Sequence, residues 1–119
     1  MLVSVALFEL HIPYSQSLKE KRMVVRSLRD KLRARFELAA NEVALHDLHQ
    51  RARLAISFIA FDDATADKML EKILDYVREN VDADLTGWTS EKLDFDESIT
   101  LATPYEENQK NRAGWRNDS

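Results

Sequence analysis

The most constraining feature of this sequence is its opening run, residues 2–12, LVSVALFELHI, which stops at Pro13. The run is rich in β-branched and aromatic residues, and a proline cannot donate to a sheet ladder, so the strand ends there. Alternation places Ser4, Ala6, Phe8, Leu10 and Ile12 on one face and Val3, Val5, Leu7, Glu9 and His11 on the other. Both faces are apolar for most of their length. Such a strand belongs in the middle of a sheet, with neighbours on both edges and apolar cover on both sides.

The rest of the chain supplies those neighbours. Ser17, with Glu20 three residues on, fits a capping box, in which each side chain satisfies a free backbone N–H. Leu18, Val25, Leu28, Leu32 and Phe36 then recur at helical spacing, so a helix runs to about Phe36. Residues 37–45 read as a second strand, His46–Gln50 as a connection, and Arg51–Phe61 as a third strand. Asp62 or Asp63 caps a second helix, whose stripe of Ala66, Met69 or Leu70, Ile73, Leu74 and Val77 extends to about Asn80. A fourth strand falls within Ala83–Phe95, around Leu85 and Trp88. The order β-α-β-β-α-β is that of a ferredoxin-like α+β sandwich: a four-stranded antiparallel sheet with two helices on one face. Residues 1–95 form this single domain. Residues 96–119, with Pro104, Asn108, Asn111 and Asn117, read as an extended or partly disordered tail.

Composition removes whole classes of chemistry. There is no Cys, so thiolate nucleophiles and Cys-based metal sites are excluded. Two Gly in 119 residues leave no phosphate-cradling Gly-rich loop. No apolar stretch approaches the roughly 18 residues of a membrane span, and no signal peptide opens the chain, so a cytoplasmic location is expected.

Charge is unevenly spread. Residues 1–61 carry 10 Lys and Arg against 6 Asp and Glu, a net +4; residues 62–119 carry 7 against 15, a net −8. Lys19, Arg22, Arg26, Arg29 and Arg33 occur at three- and four-residue steps, forming one stripe beside the apolar one. The stripe reads either as a solvated face, partly neutralised by Asp67, Glu71 and Asp75 on the second helix, or as a ridge that tracks nucleic-acid phosphates, with Arg51 adding to it. An acidic chain, of pI about 5.4, does not steer itself toward nucleic acid. Lys21 falls at the apolar azimuth and is expected to snorkel out past the rim.

Other constellations are thinner. Ser15, Ser17 and Lys19, at the start of the first helix, outline an anion site, though Glu20 competes for the same donors. His46 and His49 of HDLH are metal-ligand candidates without a third partner. Glu9 and His11 share a strand face as its polar end. Ser15 and Ser17 have no His base. The third strand, RARLAISFIAF, lacks the aromatic pattern of base-stacking RNA-recognition domains. The Gly-free loop after Ile12 does not resemble the anion loop of acylphosphatases. No enzyme and no cofactor are expected. Val3, Val5 and Leu7 leave the second sheet face apolar, which a homodimer would cover, with the chain's own tail as the rival.

The segment LHIPYSQSLKEKRMVVRSLRDKLRARF, Leu10–Phe36, with NEV at Asn41–Val43 and DLHQRA at Asp47–Ala52, closely resembles the YlxP-like family of small bacterial proteins, domain of unknown function 503. Ser17, Lys19, Lys21, Arg22, Arg26, Arg33, Glu42, Asp47, Gln50 and Arg51 match its polar signature, while His49 stands where relatives often place an aromatic. The resemblance implies the ferredoxin-like fold. Genes of the family often lie beside those for translation initiation factor two and ribosome-binding factor A, which implies a ribosomal context. The expectation is a non-enzymatic protein associated with ribosomal RNA or the small ribosomal subunit. A protein adaptor docking its basic helix on an acidic partner is the alternative, and a small-ligand or metal-binding regulatory module a third.

Overall fold

A computed structural model describes residues 1–99. Six elements occur in the expected order: β1 (Leu2–His11), α1 (Leu18–Phe36), β2 (Ala39–Ala44), β3 (Arg51–Ala60), α2 (Asp63–Asn80) and β4 (Asp84–Asp94). All strand pairs are antiparallel, in the order β2-β3-β1-β4. The fold is the ferredoxin-like sandwich, and the doubly apolar first run is indeed central. From residue 100, the expected tail lies outside the described residues.

The two faces of β1 divide as their alternation dictates. Leu2, Ala6, Phe8, Leu10 and Ile12 are buried with Leu54, Ile56 and Phe58 of β3, beneath Val25, Leu28 and Leu32 of α1 and Ala66, Leu70, Ile73 and Val77 of α2. Trp88 of β4 stacks on Phe8, ring centroids 5.6 Å apart, and closes the core at that edge. Truncating a fully buried leucine such as Leu32 in a core of this kind costs about 2–5 kcal/mol. Both helices begin as read. The Ser17 hydroxyl accepts from the Glu20 N–H at 3.1 Å, and the Asp62 carboxylate accepts from the Thr65 N–H at 2.8 Å. The return half of the first cap shifts by one residue: Glu20 accepts from the N–H of Gln16, at 2.8 Å, rather than from that of Ser17.

Lys21 departs from expectation. It does not reach past the rim; it is 1% exposed. Its ammonium lies 2.8 Å from the Leu45 carbonyl, 3.3 Å from that of His46, 3.2 Å from that of Arg51, and 2.9 Å from a Glu42 carboxylate oxygen. Four oxygens surround three protons, so Glu42 acts as a close counter-charge rather than an aligned acceptor. The reason is register. Glu42 pairs with Leu54 on the helix-facing side of the sheet, and the chain turns after β2 through Leu45 at φ 64°, aiming carbonyls inward. A buried cation with this many acceptors is satisfied where it stands.

Candidate nucleic-acid interface

The geometry of α1 decides which cations are available. Its buried line runs through Lys21, Val25, Leu28 and Leu32. On one flank of that line α2 approaches: Tyr76 meets Phe36 edge-on at 5.4 Å, and the Arg35 guanidinium lies 5.5 Å from the Tyr76 ring. At about 100° per residue, Lys19, Arg22, Arg26, Arg29 and Arg33 occupy the opposite flank, toward edge strand β2. Arg33 fixes that direction by donating to the Ala40 carbonyl at 2.7 Å and to Asn41 Oδ1 at 3.1 Å.

This overturns the expected neutralisation by α2. Asp67, Glu71 and Asp75 face away from the basic flank, and among the described residues none forms an ion pair with it. Asp67 and Asp63 instead hold Lys92 of β4, at 2.6 and 3.0 Å. Those two carboxylates, Asp67 first, raise the Lys92 pKa above the ordinary lysine range.

The stripe is not uniform. Arg29 donates to its neighbour Asp30 at 3.2 Å, and Arg33 is engaged with β2. Lys19, Arg22 and Arg26 are exposed, with no ion pair among the described residues. Successive steps of three and four residues separate them by about 4.5 and 6 Å along the axis.

Arg51 does not join them. It projects from the opposite face of the sheet, where it and Arg53 clasp Glu9 at 3.0 and 2.7 Å. Hydrogen bonds from Arg53 first, and then Arg51, hold the Glu9 pKa below the usual carboxylate range. His11, on the same face, lies 3.7 Å from Asp84 rather than against Glu9.

The outlined anion site is closed. Ser15 is fully buried and its hydroxyl donates to the Ser17 carbonyl at 3.1 Å, while the Ser17 hydroxyl caps the helix. Of that trio only Lys19 faces solvent. Gln50 knits the same corner together, its amide donating to the carbonyls of Pro13 and Ser15 at 3.1 and 3.3 Å. His46 rests an imidazole nitrogen 3.2 Å from the Glu42 carbonyl, and the described residues hold no group of three metal-ligating side chains that includes it or His49.

Sequence reasoning thus found the basic flank but misplaced Lys21. The signal was present: Glu42, an acidic residue, occupies a core-facing position of the second strand, opposite the one charge on the apolar azimuth of the helix.

No helix of the described residues is long and apolar enough to cross a membrane. No curated protein matches the sequence. Among solved structures, a "putative antibiotic biosynthesis monooxygenase" from Deinococcus radiodurans is similar at 13% identity, covering 87% of this chain and 100% of that one, with a TM-score of 0.45. The Arabidopsis thaliana protein At3g17210 is similar at 11% identity, covering 83% and 99%, also with a TM-score of 0.45. Neither likeness bears on chemistry. Residues 3–89 match the family described as a protein of unknown function, DUF503, and the chain belongs to that family.

Proposed function

We propose that the protein is a non-enzymatic RNA-binding factor of the ribosomal machinery that grips phosphates with the outer flank of α1. One observation carries this reading. Lys19, Arg22 and Arg26 stand exposed in one row along a helix flank without counter-charge among the described residues; Lys31, Lys68, Lys72 and Arg78 are also without an ion pair there, so it is the alignment of the three that carries the reading. Aligned unpaired cations gain most from releasing the counterions of a polyanion. Such contacts position a protein without reading sequence.

The test is sedimentation of lysate through a gradient at low and high salt. Wild-type protein should travel with small ribosomal subunits at low salt and be released as salt rises, while Arg22→Glu with Arg26→Glu should stay at the top. A wild-type protein that remains at the top at low salt overturns the proposal. An association that survives nuclease replaces RNA with an acidic protein partner.

A second copy of the chain is the proposed cover for the open sheet face. Ile59, Phe61, Leu93 and Phe95 are 53–85% exposed, and with half-exposed Val5 they form an apolar band at one end of that face. A two-fold arrangement sets this band against itself. Ile59→Lys with Leu93→Lys should convert a dimer to a monomer in analytical ultracentrifugation; a wild-type monomer removes the idea.

A further inference from the structure

On the α2 side of α1 lies a groove that the phosphate-binding reading does not use. It has a volume of about 300 Å³, at the small end of ligand sites, and runs between α1 and the end of α2. Tyr14, Met23, Ser27 and Lys31 line one side and Asn80 and Asp82 the other. Tyr14 and Met23 are 46% and 66% exposed, so an aromatic ring and a thioether stand open to a ligand in the groove.

Helix spacing ties the outer edge of this groove to two of the cations. Lys19, Met23, Ser27 and Lys31 form one four-residue row, and Lys19 and Arg26 sit four residues before and three after Met23, whereas Arg22 lies about 100° around the helix from it. A phosphate held by Lys19 or Arg26 is therefore one helical neighbour from the groove's edge at Met23.

The polar lining says which part of a nucleotide belongs inside. Partial burial first, then the Asp82 and Glu20 carboxylates, raise the Tyr14 hydroxyl above the ordinary phenol range. The lining sets one cation, Lys31, and one carboxylate, Asp82, among neutral donors and acceptors, a mixture that suits a base edge better than a phosphate. Asp82 accepts hydrogen bonds, as does the Asn80 side-chain oxygen, whose amide nitrogen is already donating to the Tyr76 carbonyl at 3.0 Å. Lys31 and the Ser27 hydroxyl donate. A base edge carries both amino donors and ring acceptors, and its face stacks on an aromatic ring.

We infer that this groove takes an unpaired base, with Tyr14 as the stacking platform, so that the ligand is single-stranded or looped RNA rather than continuous duplex. The inference rests on the phosphate-binding reading and adds the substrate class to it. In a duplex the base faces are stacked on one another and unavailable to Tyr14.

Fluorescence anisotropy with a labelled unstructured 12-nucleotide RNA and a blunt 12-base-pair duplex, at fixed salt, tests it. Wild-type protein should favour the single strand. Tyr14→Ala should weaken single-strand binding about tenfold, the loss expected of one base–aromatic stack, and leave duplex binding unchanged. Tyr14→Phe should bind like wild type. Arg22→Glu should weaken both. A Tyr14→Ala protein with an unaltered single-strand to duplex ratio overturns the groove assignment and leaves the phosphate ridge standing; wild-type binding to neither RNA removes both.

Methyl NMR of the unmodified protein gives an independent reading should Tyr14→Ala disturb the fold. On adding the single strand, the Met23 methyl should move and that of Met69, packed against the core, should not. A stationary Met23 signal under saturating RNA overturns the assignment.

Discussion

Cations on the outer flank of α1 and cations on the open face of the sheet meet opposite fates. On the sheet, Arg51 and Arg53 converge on Glu9, and their charge is consumed inside the molecule. On α1, Lys19, Arg22 and Arg26 keep theirs. The difference arises from what each backbone brings together. Antiparallel pairing sets Glu9 opposite Arg53 and two residues from Arg51, so a carboxylate is delivered to both guanidiniums. The flank of α1 faces an edge strand that presents Asn41 and carbonyls, and whose helix-facing acid, Glu42, is already taken by Lys21. A count of charged residues would rank the two surfaces alike. Only the pairing separates a surface that is self-satisfied from one whose cations have no ion pair among the described residues.

Lys21 makes a third case, a cation buried whole, and its removal should break the comparison most severely. Lys21→Met leaves Glu42 uncompensated in the core and should cost about 3–5 kcal/mol in urea denaturation. Adding Glu42→Leu should recover much of that loss. A double variant as unstable as the single one would mean that the three carbonyls, not the carboxylate, need the ammonium.

Ser17→Ala removes the N-cap of α1 and should cost about 1 kcal/mol, read by the same measurement. It weakens the helix that carries the ridge without touching a cation. RNA affinity measured well below the melting temperature should therefore stay near wild type.

Reversing Arg22 and Arg26 should shift stability by under about 0.5 kcal/mol, as expected of exposed positions. The same change should sharpen the comparison in a salt titration. Three phosphate contacts give a log–log slope near about −2 for a single strand, and each lost cation lowers it by about 0.7. Arg51→Ala should leave that slope where it was; a slope that falls would return Arg51 to the interface.

The smallest effect concerns pH. Because the Glu9 pKa is lowered in the folded state, its contribution is fully present above the ordinary value of 4.5 and is lost as pH falls through the lowered one. Glu9→Gln should therefore flatten the acid limb of the stability profile, leaving the parts due to Asp62 and Asp96, whose pKa values are also lowered by hydrogen bonds from Thr65 and Ser98. An unchanged acid limb would show that the two arginines contribute little to the fold.

The elements were legible because local chemistry specifies them. Pro13 ends β1, Ser17 and Asp62 cap the helices, and periods of two and 3.6 mark the buried faces. These signals lie within a few residues of one another along the chain. The flank of α1 was legible for the same reason, since residues three and four apart share a helix surface. What each charged residue does was far less so. Helical spacing placed Lys21 on the apolar azimuth but could not supply the carbonyls of Leu45, His46 and Arg51, which arrive from 24 to 30 residues away.

By itself, then, the sequence determined the order of strands and helices, the central place of β1, and a basic flank on the first helix. Tertiary structure alone decided that α2 packs against the other flank, that Arg51 points away from the ridge, that Ser15 is buried, and that Tyr14 and Met23 border a groove with Asn80 and Asp82. Secondary structure is set by neighbours along the chain. A charge acquires its role from neighbours in space, because whether it is paired, buried or free depends on oxygens that only the folded chain brings within reach.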